Sequence, residues 1–160
     1  MNVIDVAMVV LVVTGAVLGA RRGFGRALFD FVALLVAVRS VSFLAPPVAS
    51  ALHIAKDVPA NEAIWYGILF VVVGGILVFL GKLAYDATLI SLDTLDPLLG
   101  GVLGIGAAVV IGHVIVKALA VSAGIGGAPP EVLATSPLGM EFYRFVTYHK
   151  VIDFLASLPK

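Results

Sequence analysis

The chain has no cysteine, which excludes disulfides, thiol nucleophiles, thiolate metal sites and palmitoylation. Charge is scarce. Asp, Glu, Lys and Arg together make up 12% of the residues, about half the share found in soluble domains, and the formal net charge is zero. No global field therefore draws nucleic acid or an acidic partner. Catalytic signatures are missing too: there is no His-Glu-x-x-His, no Gly-x-Ser-x-Gly and no P-loop. Gly104-Ile105-Gly106-Ala107-Ala108 imitates part of a dinucleotide-binding loop, but no strand precedes it and no βαβ unit surrounds it. His53, His113 and His149 fall in three separate segments without metal-ligand spacing. Neither a nucleophile with a base nor a paired set of aspartates lies inside the apolar runs. No cofactor, no metal and no catalysis are expected.

What the chain has in excess is apolar surface. Hydrophobic residues reach 61% of 160, more than a soluble domain of this size can bury. They gather into four runs. The first, Val3 to Ala20, is eighteen residues, or ~27 Å of helix against a ~30 Å hydrocarbon core. Asn2 fits its N-cap and Asp5 its first turn. Because no basic stretch precedes it, an uncleaved span is expected in place of a signal peptide. The second, Ala27 to Ala45, contains Asp30 and Arg39; Pro46 and Pro47 are expected to end it. Arg26 can pair with Asp30 four residues on, whereas Asp30 and Arg39 fall on roughly opposite faces. The third, Ala63 to Gly81, has no formal charge, with Trp65 and Tyr66 at one end and Lys82 and Tyr85 at the other as interfacial anchors. The fourth starts at Asp96-Pro97, a fitting N-cap and first helical residue, and runs to about Val116.

The expected fold is an all-α membrane protein: a four-helix transmembrane domain over 1–123, then a loop and an amphipathic C-terminal helix over 124–160. The loop is expected over 124–139. From Met140 to Leu158, Phe145, Tyr148, Ile152 and Leu155 recur at helical steps, suiting a helix in the membrane interface or one packed on the bundle. Arg21, Arg22 and Arg26 make the 21–26 loop the most basic. The positive-inside rule places it in the cytoplasm, with both termini outside, and the same arginines suit anionic headgroups.

Glycines recur in register. Gly15, Gly19 and Gly23, and Gly100, Gly104 and Gly112 with Ala108 between them, step by four; Gly67, Gly74 and Gly81 step by seven. The first two series predict right-handed close crossings and the third a left-handed one. They leave open whether the partner helix belongs to this chain or to a second copy. Arg39 and His113 are the polar candidates at membrane depth, where an ionisable group usually faces a bundle interior or water. Their structural alternatives are snorkelling of Arg39 to the nearby surface and a carbonyl bond from a neutral His113.

Ordered motifs along the chain resemble the colicin V production (CvpA) family. Asn2-Val3-Ile4-Asp5 followed by Arg22-Gly23-Phe24-x-Arg26 is similar to the family's opening. Asp96-Pro97-Leu98-Leu99-Gly100-Gly101-Val102-Leu103-Gly104 resembles its second motif, and Ser136-Pro137-Leu138 its tail. The resemblance implies a multi-pass protein of the bacterial inner membrane with an accessory or scaffold role in toxin production, export or envelope maintenance. Some relatives carry a protease domain outside the membrane after the spans. The chain departs from the pattern at Ala27, where an acid often stands, and near Ala107, where an arginine does. The expected partners are the lipid bilayer and other membrane proteins or further copies of itself, with no nucleic acid. The competing function is an oligomeric small-solute channel or transporter built around Arg39 and His113.

Overall fold

The computed structural model describes residues 2–88, 95–122 and 135–144. Five helices form in chain order: α1 Val3–Arg22, α2 Phe24–Ala51, α3 Val58–Thr88, α4 Asp96–Ser122 and α5 Pro137–Arg144. The first four are each long and apolar enough to cross a membrane. Among the described residues all regular structure is helical, as lipid requires of a chain that does not close into a barrel.

Several boundaries differ from the sequence-based expectation. The 21–26 loop shrinks to a single residue, because Gly23 ends α1 and starts α2 at once, at φ 78° and ψ 169°. That region is open almost exclusively to glycine. Its N–H closes onto Gly19 O at 3.0 Å and its carbonyl accepts from Ala27 N at 3.0 Å, so one residue reverses the chain without leaving its own peptide groups unpaired.

Pro46 and Pro47 do not end α2, which continues to Ala51. The buried residues Ala33, Ala37, Val41, Ala45 and Ala49 step by four straight across the proline pair, so packing holds the helical path where local propensity would break it. The expected loop over 124–139 also stops short, since α5 already begins at Pro137. A proline suits that position because the first helical N–H has no partner to lose. The predicted extension of this helix to Leu158 lies outside the described residues.

Asn61 closes the turn between α2 and α3. It is 2% exposed. Its amide donates to Ala49 O at 2.7 Å and Leu52 O at 3.0 Å, while its oxygen accepts from Ile54 N and Ala55 N. Trp65 Nε1 donates to the same Leu52 carbonyl at 2.7 Å. Tyr66, expected at the interface with Trp65, is instead buried against α4 with the Lys117 ammonium 4.8 Å from its ring centroid. Helix α3 starts at Val58, not Ala63, so Tyr66 lies two turns inside the helix.

The closest pairing is α1 with α4, antiparallel, and it is made by the two four-step glycine series. A Cβ built on Gly19 would land on the carbonyl oxygen of Gly100. One on Gly104 would land on that of Gly15, and one on Gly15 would sit 2.5 Å from Ala108 Cβ. The helices touch backbone to backbone, the approach that lipid-immersed helices rely on because lipid tails offer them no hydrophobic drive. The seven-step series behaves differently. Gly67 has open space around it, and Gly74 and Gly81 would bring a Cβ only to ordinary contact, 3.7 Å from Ala37 Cβ and 3.4 Å from Phe29. Gly74 and Gly81 thus pack against α2, but less closely than the α1 and α4 backbones approach each other, because Ala37 and Phe29 stand between α2 and α3.

Candidate functional site

Two polar joints hold the ends of α1, and both join segments that are distant in sequence. At its N-terminus, Asp5 is 4% exposed. One carboxylate oxygen accepts the Asn2 N–H at 2.9 Å; the other accepts the Ser136 hydroxyl at 2.6 Å and the Leu138 N–H at 3.2 Å. Ser136 is fully buried and its oxygen also accepts the Gly139 N–H at 2.8 Å. A buried carboxylate is tolerated only when it is supplied with donors. Asp5 obtains them from its own N-terminus and from the first turn of α5. Asn2 Nδ2 adds a bond to Thr135 Oγ1 at 3.2 Å.

Beside this joint, Phe142 of α5 fills the space left by the missing side chain of Gly112, next to Met8. Met8, Val116, Ala120 and Phe142 form one buried cluster. His113 Nδ1 lies 2.6 Å from Phe142 O, so the expected carbonyl bond forms and this histidine fastens α5 to α4. Gly112 was singled out as a backbone-packing residue. Its neighbour is an aromatic ring, not another helix backbone, a distinction that no spacing in the sequence reveals.

The second joint lies at the other end of α1. A Cβ on Gly23 would meet the Asp96 carboxylate, and one on Gly100 would lie 2.5 Å from Gly19 O and 2.8 Å from the Gly23 carbonyl carbon. Asp30, 4% exposed, pairs with Arg22 NH1 at 2.7 Å as well as with Arg26. The i,i+4 partner Arg26 was legible in the sequence. Arg22 reaches Asp30 only because the one-residue turn folds the end of α1 back over the start of α2. The Arg26 Nε–H bonds to Oδ2 at 3.3 Å. Oδ1, although 3.2 Å from the same nitrogen, is buried without a hydrogen-bond partner. Arg21 is exposed on the last turn of α1.

A half-open cleft of about 280 Å³ runs from this joint between α1, α2 and α4. Its walls are apolar, including Leu11, Leu18, Leu34 and Ile111, and Arg22 and Asp30 lie along it. A second, smaller cavity of about 40 Å³ lies among Ser42, Glu62, Tyr66 and Lys117, where the Tyr66 hydroxyl is buried without a hydrogen-bond partner. Arg39 and His113 line neither cavity. Arg39 is exposed, with its guanidinium carbon 4.6 Å from the Phe43 ring centroid, as a side chain reaching along the bundle surface does. The structure does not bring the two residues together. Among the described residues no group of three or more His, Asp or Glu side chains could hold a metal ion.

The segments joined at both ends of α1 are those that carry the ordered motifs, and the family model described as colicin V production protein matches residues 4–139. The chain belongs to the colicin V production protein family. No curated protein and no solved structure matches it. Within the family pattern, Asn2-x-x-Asp5 and Ser136-Pro137-Leu138 are the two halves of one joint, and Arg22-Gly23 and Asp96 to Gly104 the two halves of the other. Ala27 and Ala107 both line the larger cleft.

Proposed function

We propose that this multi-pass member of the colicin V production family is an accessory or scaffold protein, without catalysis, in toxin production, export or envelope maintenance at the bacterial inner membrane. The observation that carries the reading is how the ionisable groups of the spans are used. Asp5 binds α5, Asp30 ties the turn between α1 and α2, and His113 binds a backbone carbonyl. Polar groups in lipid usually mark pathways or reaction centres; here each fastens one segment to another. Meanwhile large apolar residues remain exposed on every long helix: Val13 on α1, Val36 and Phe43 on α2, Val71 and Phe79 on α3, and Val102 on α4. These are surfaces for lipid or for the spans of other proteins. In this reading the α1–α2 turn faces the cytoplasm and both ends of the bundle's chain face outward, following the three arginines.

Crosslinking in native membranes followed by affinity capture tests the proposal. A scaffold retains other membrane proteins in fixed ratio. A chain that retains only copies of itself, and conducts solute when reconstituted in vesicles, would refute it in favour of the channel reading.

A further inference from the structure

The cleft that runs from the Arg22–Asp30 pair has space that neither joint fills. We propose that it is a binding site for one anionic phospholipid, with an acyl chain along the apolar walls and the phosphate on Arg22. The proposal does not depend on the scaffold reading.

Four observations converge on that occupant. The cleft has apolar walls over a volume of about 280 Å³ and is open on one side; space of this kind attracts hydrocarbon and repels water. Its charged end is built from α1's last turn, and α1 has 20 residues from Val3 to Arg22, close to the ~30 Å thickness of the hydrocarbon core. Arg22 therefore stands at the depth where lipid phosphates begin. Its side chain is 51% exposed and gives Asp30 a single nitrogen, NH1. A guanidinium carries five N–H donors in a planar fork, so enough remain for two-point binding of a phosphate.

Asp30 supplies the complementary half. Its carboxylate lines the cleft beside Arg22, where a hydroxyl or ammonium of the lipid headgroup would add a donor to its ion pairs with Arg22 and Arg26. The local charge sets the sign of the ligand. Arg22 and Arg26 pair with Asp30, Arg21 is exposed on the same last turn of α1, and Asp96 lies beside Gly23; counted along this turn, three cations stand against two carboxylates. A headgroup offering a phosphate next to a donor satisfies both partners at once, and a plain acyl chain satisfies neither.

The test uses the full chain in vesicles of phosphatidylglycerol and phosphatidylethanolamine, doped with phosphatidylglycerol bearing a photoreactive acyl chain. Mapping by mass spectrometry is expected to concentrate label on Leu11, Leu34 and Ile111, at least about fivefold over the lipid-exposed Val71. Ala107→Phe, which fills the cleft, is expected to abolish that excess while label on Val71 stays constant. Arg22→Gln should weaken it about fivefold, the weight of one basic side chain at an anionic surface. Should Ala107→Phe not fold, the map on the unaltered chain decides by itself. Label spread evenly over cleft and outer surface overturns the site. Equal labelling by a photoreactive diacylglycerol, which has no phosphate, overturns the role given to Arg22.

Discussion

Replacing Gly104 by alanine puts a methyl group on the carbonyl oxygen of Gly15 and 2.9 Å from Gly19 Cα. Both obstacles are backbone, so no rotamer change relieves them. Ordinary carbon contacts lie at roughly 3.5–4.0 Å, so α1 and α4 must part by on the order of 0.6–1 Å to accept it. Overpacking of this kind costs about 1–3 kcal/mol, and the upper figure applies where two helix backbones must separate along a shared seam. Alanine returns about 1 kcal/mol through its better helix propensity. The expected net loss is about 2 kcal/mol, roughly a thirtyfold fall in the folded-to-unfolded ratio. Gly75→Ala is the control: nothing lies within 4 Å of a Cβ there, so it should be neutral or slightly stabilising. Unfolding in mixed detergent micelles measures both variants. The absence of native cysteine allows a second readout from an Ala20→Cys/Gly101→Cys pair. The Ala20 Cβ lies 3.6 Å from a Cβ at Gly101, within the span a disulfide needs. Gly104→Ala should slow that crosslink. If Gly104→Ala unfolds and crosslinks like Gly75→Ala, the backbone-to-backbone seam is not what binds α1 to α4.

Gly23→Ala should lower thermal stability in detergent by about 1–3 kcal/mol, because φ 78° with ψ 169° is a region alanine avoids; an unchanged melting temperature would remove the argument. Ser136→Ala takes the 2.6 Å donor from the buried Asp5 carboxylate, at about 1.5–3 kcal/mol, and should speed proteolysis within 135–144; unaltered cleavage would mean that the joint does not hold α5. Asn61→Leu removes four hydrogen bonds at the α2–α3 turn and should accelerate hydrogen exchange at the Ile54 and Ala55 amides, with a loss of at least about 2 kcal/mol. Replacing Arg21, Arg22 and Arg26 together by Gln should scramble the orientation reported by terminal fusions and also destabilise the bundle, because Asp30 is left buried without a cation. Arg21→Gln alone should leave stability unchanged, since Asp30 keeps both of its partners.

The number of spans, the cap at Asn2, the start of α4 at Asp96 and the packing role of the four-step glycines were all legible from one chain, because each follows from the residues of a single helix. The Asp30–Arg26 pair was legible for the same reason. Local reading failed where a distant segment overrode it. Pro46 and Pro47 stay helical because one face of α2 is packed on both sides of them. Tyr66 is buried because α4 covers it. His113 and Gly112, alike in the sequence to other intramembrane polar and small residues, acquire their roles only when Phe142 docks between them.

The sequence by itself determined that four helices cross lipid and that the turn after the first carries the concentrated positive charge, since hydropathy and charge are properties each residue brings with it. Only the tertiary structure decided that Asp5 meets Ser136 across 131 positions, that Arg22 folds back onto Asp30, and that a cleft opens between α1, α2 and α4. Those depend on how far helix axes approach one another, and that distance is set jointly by side chains on both partners.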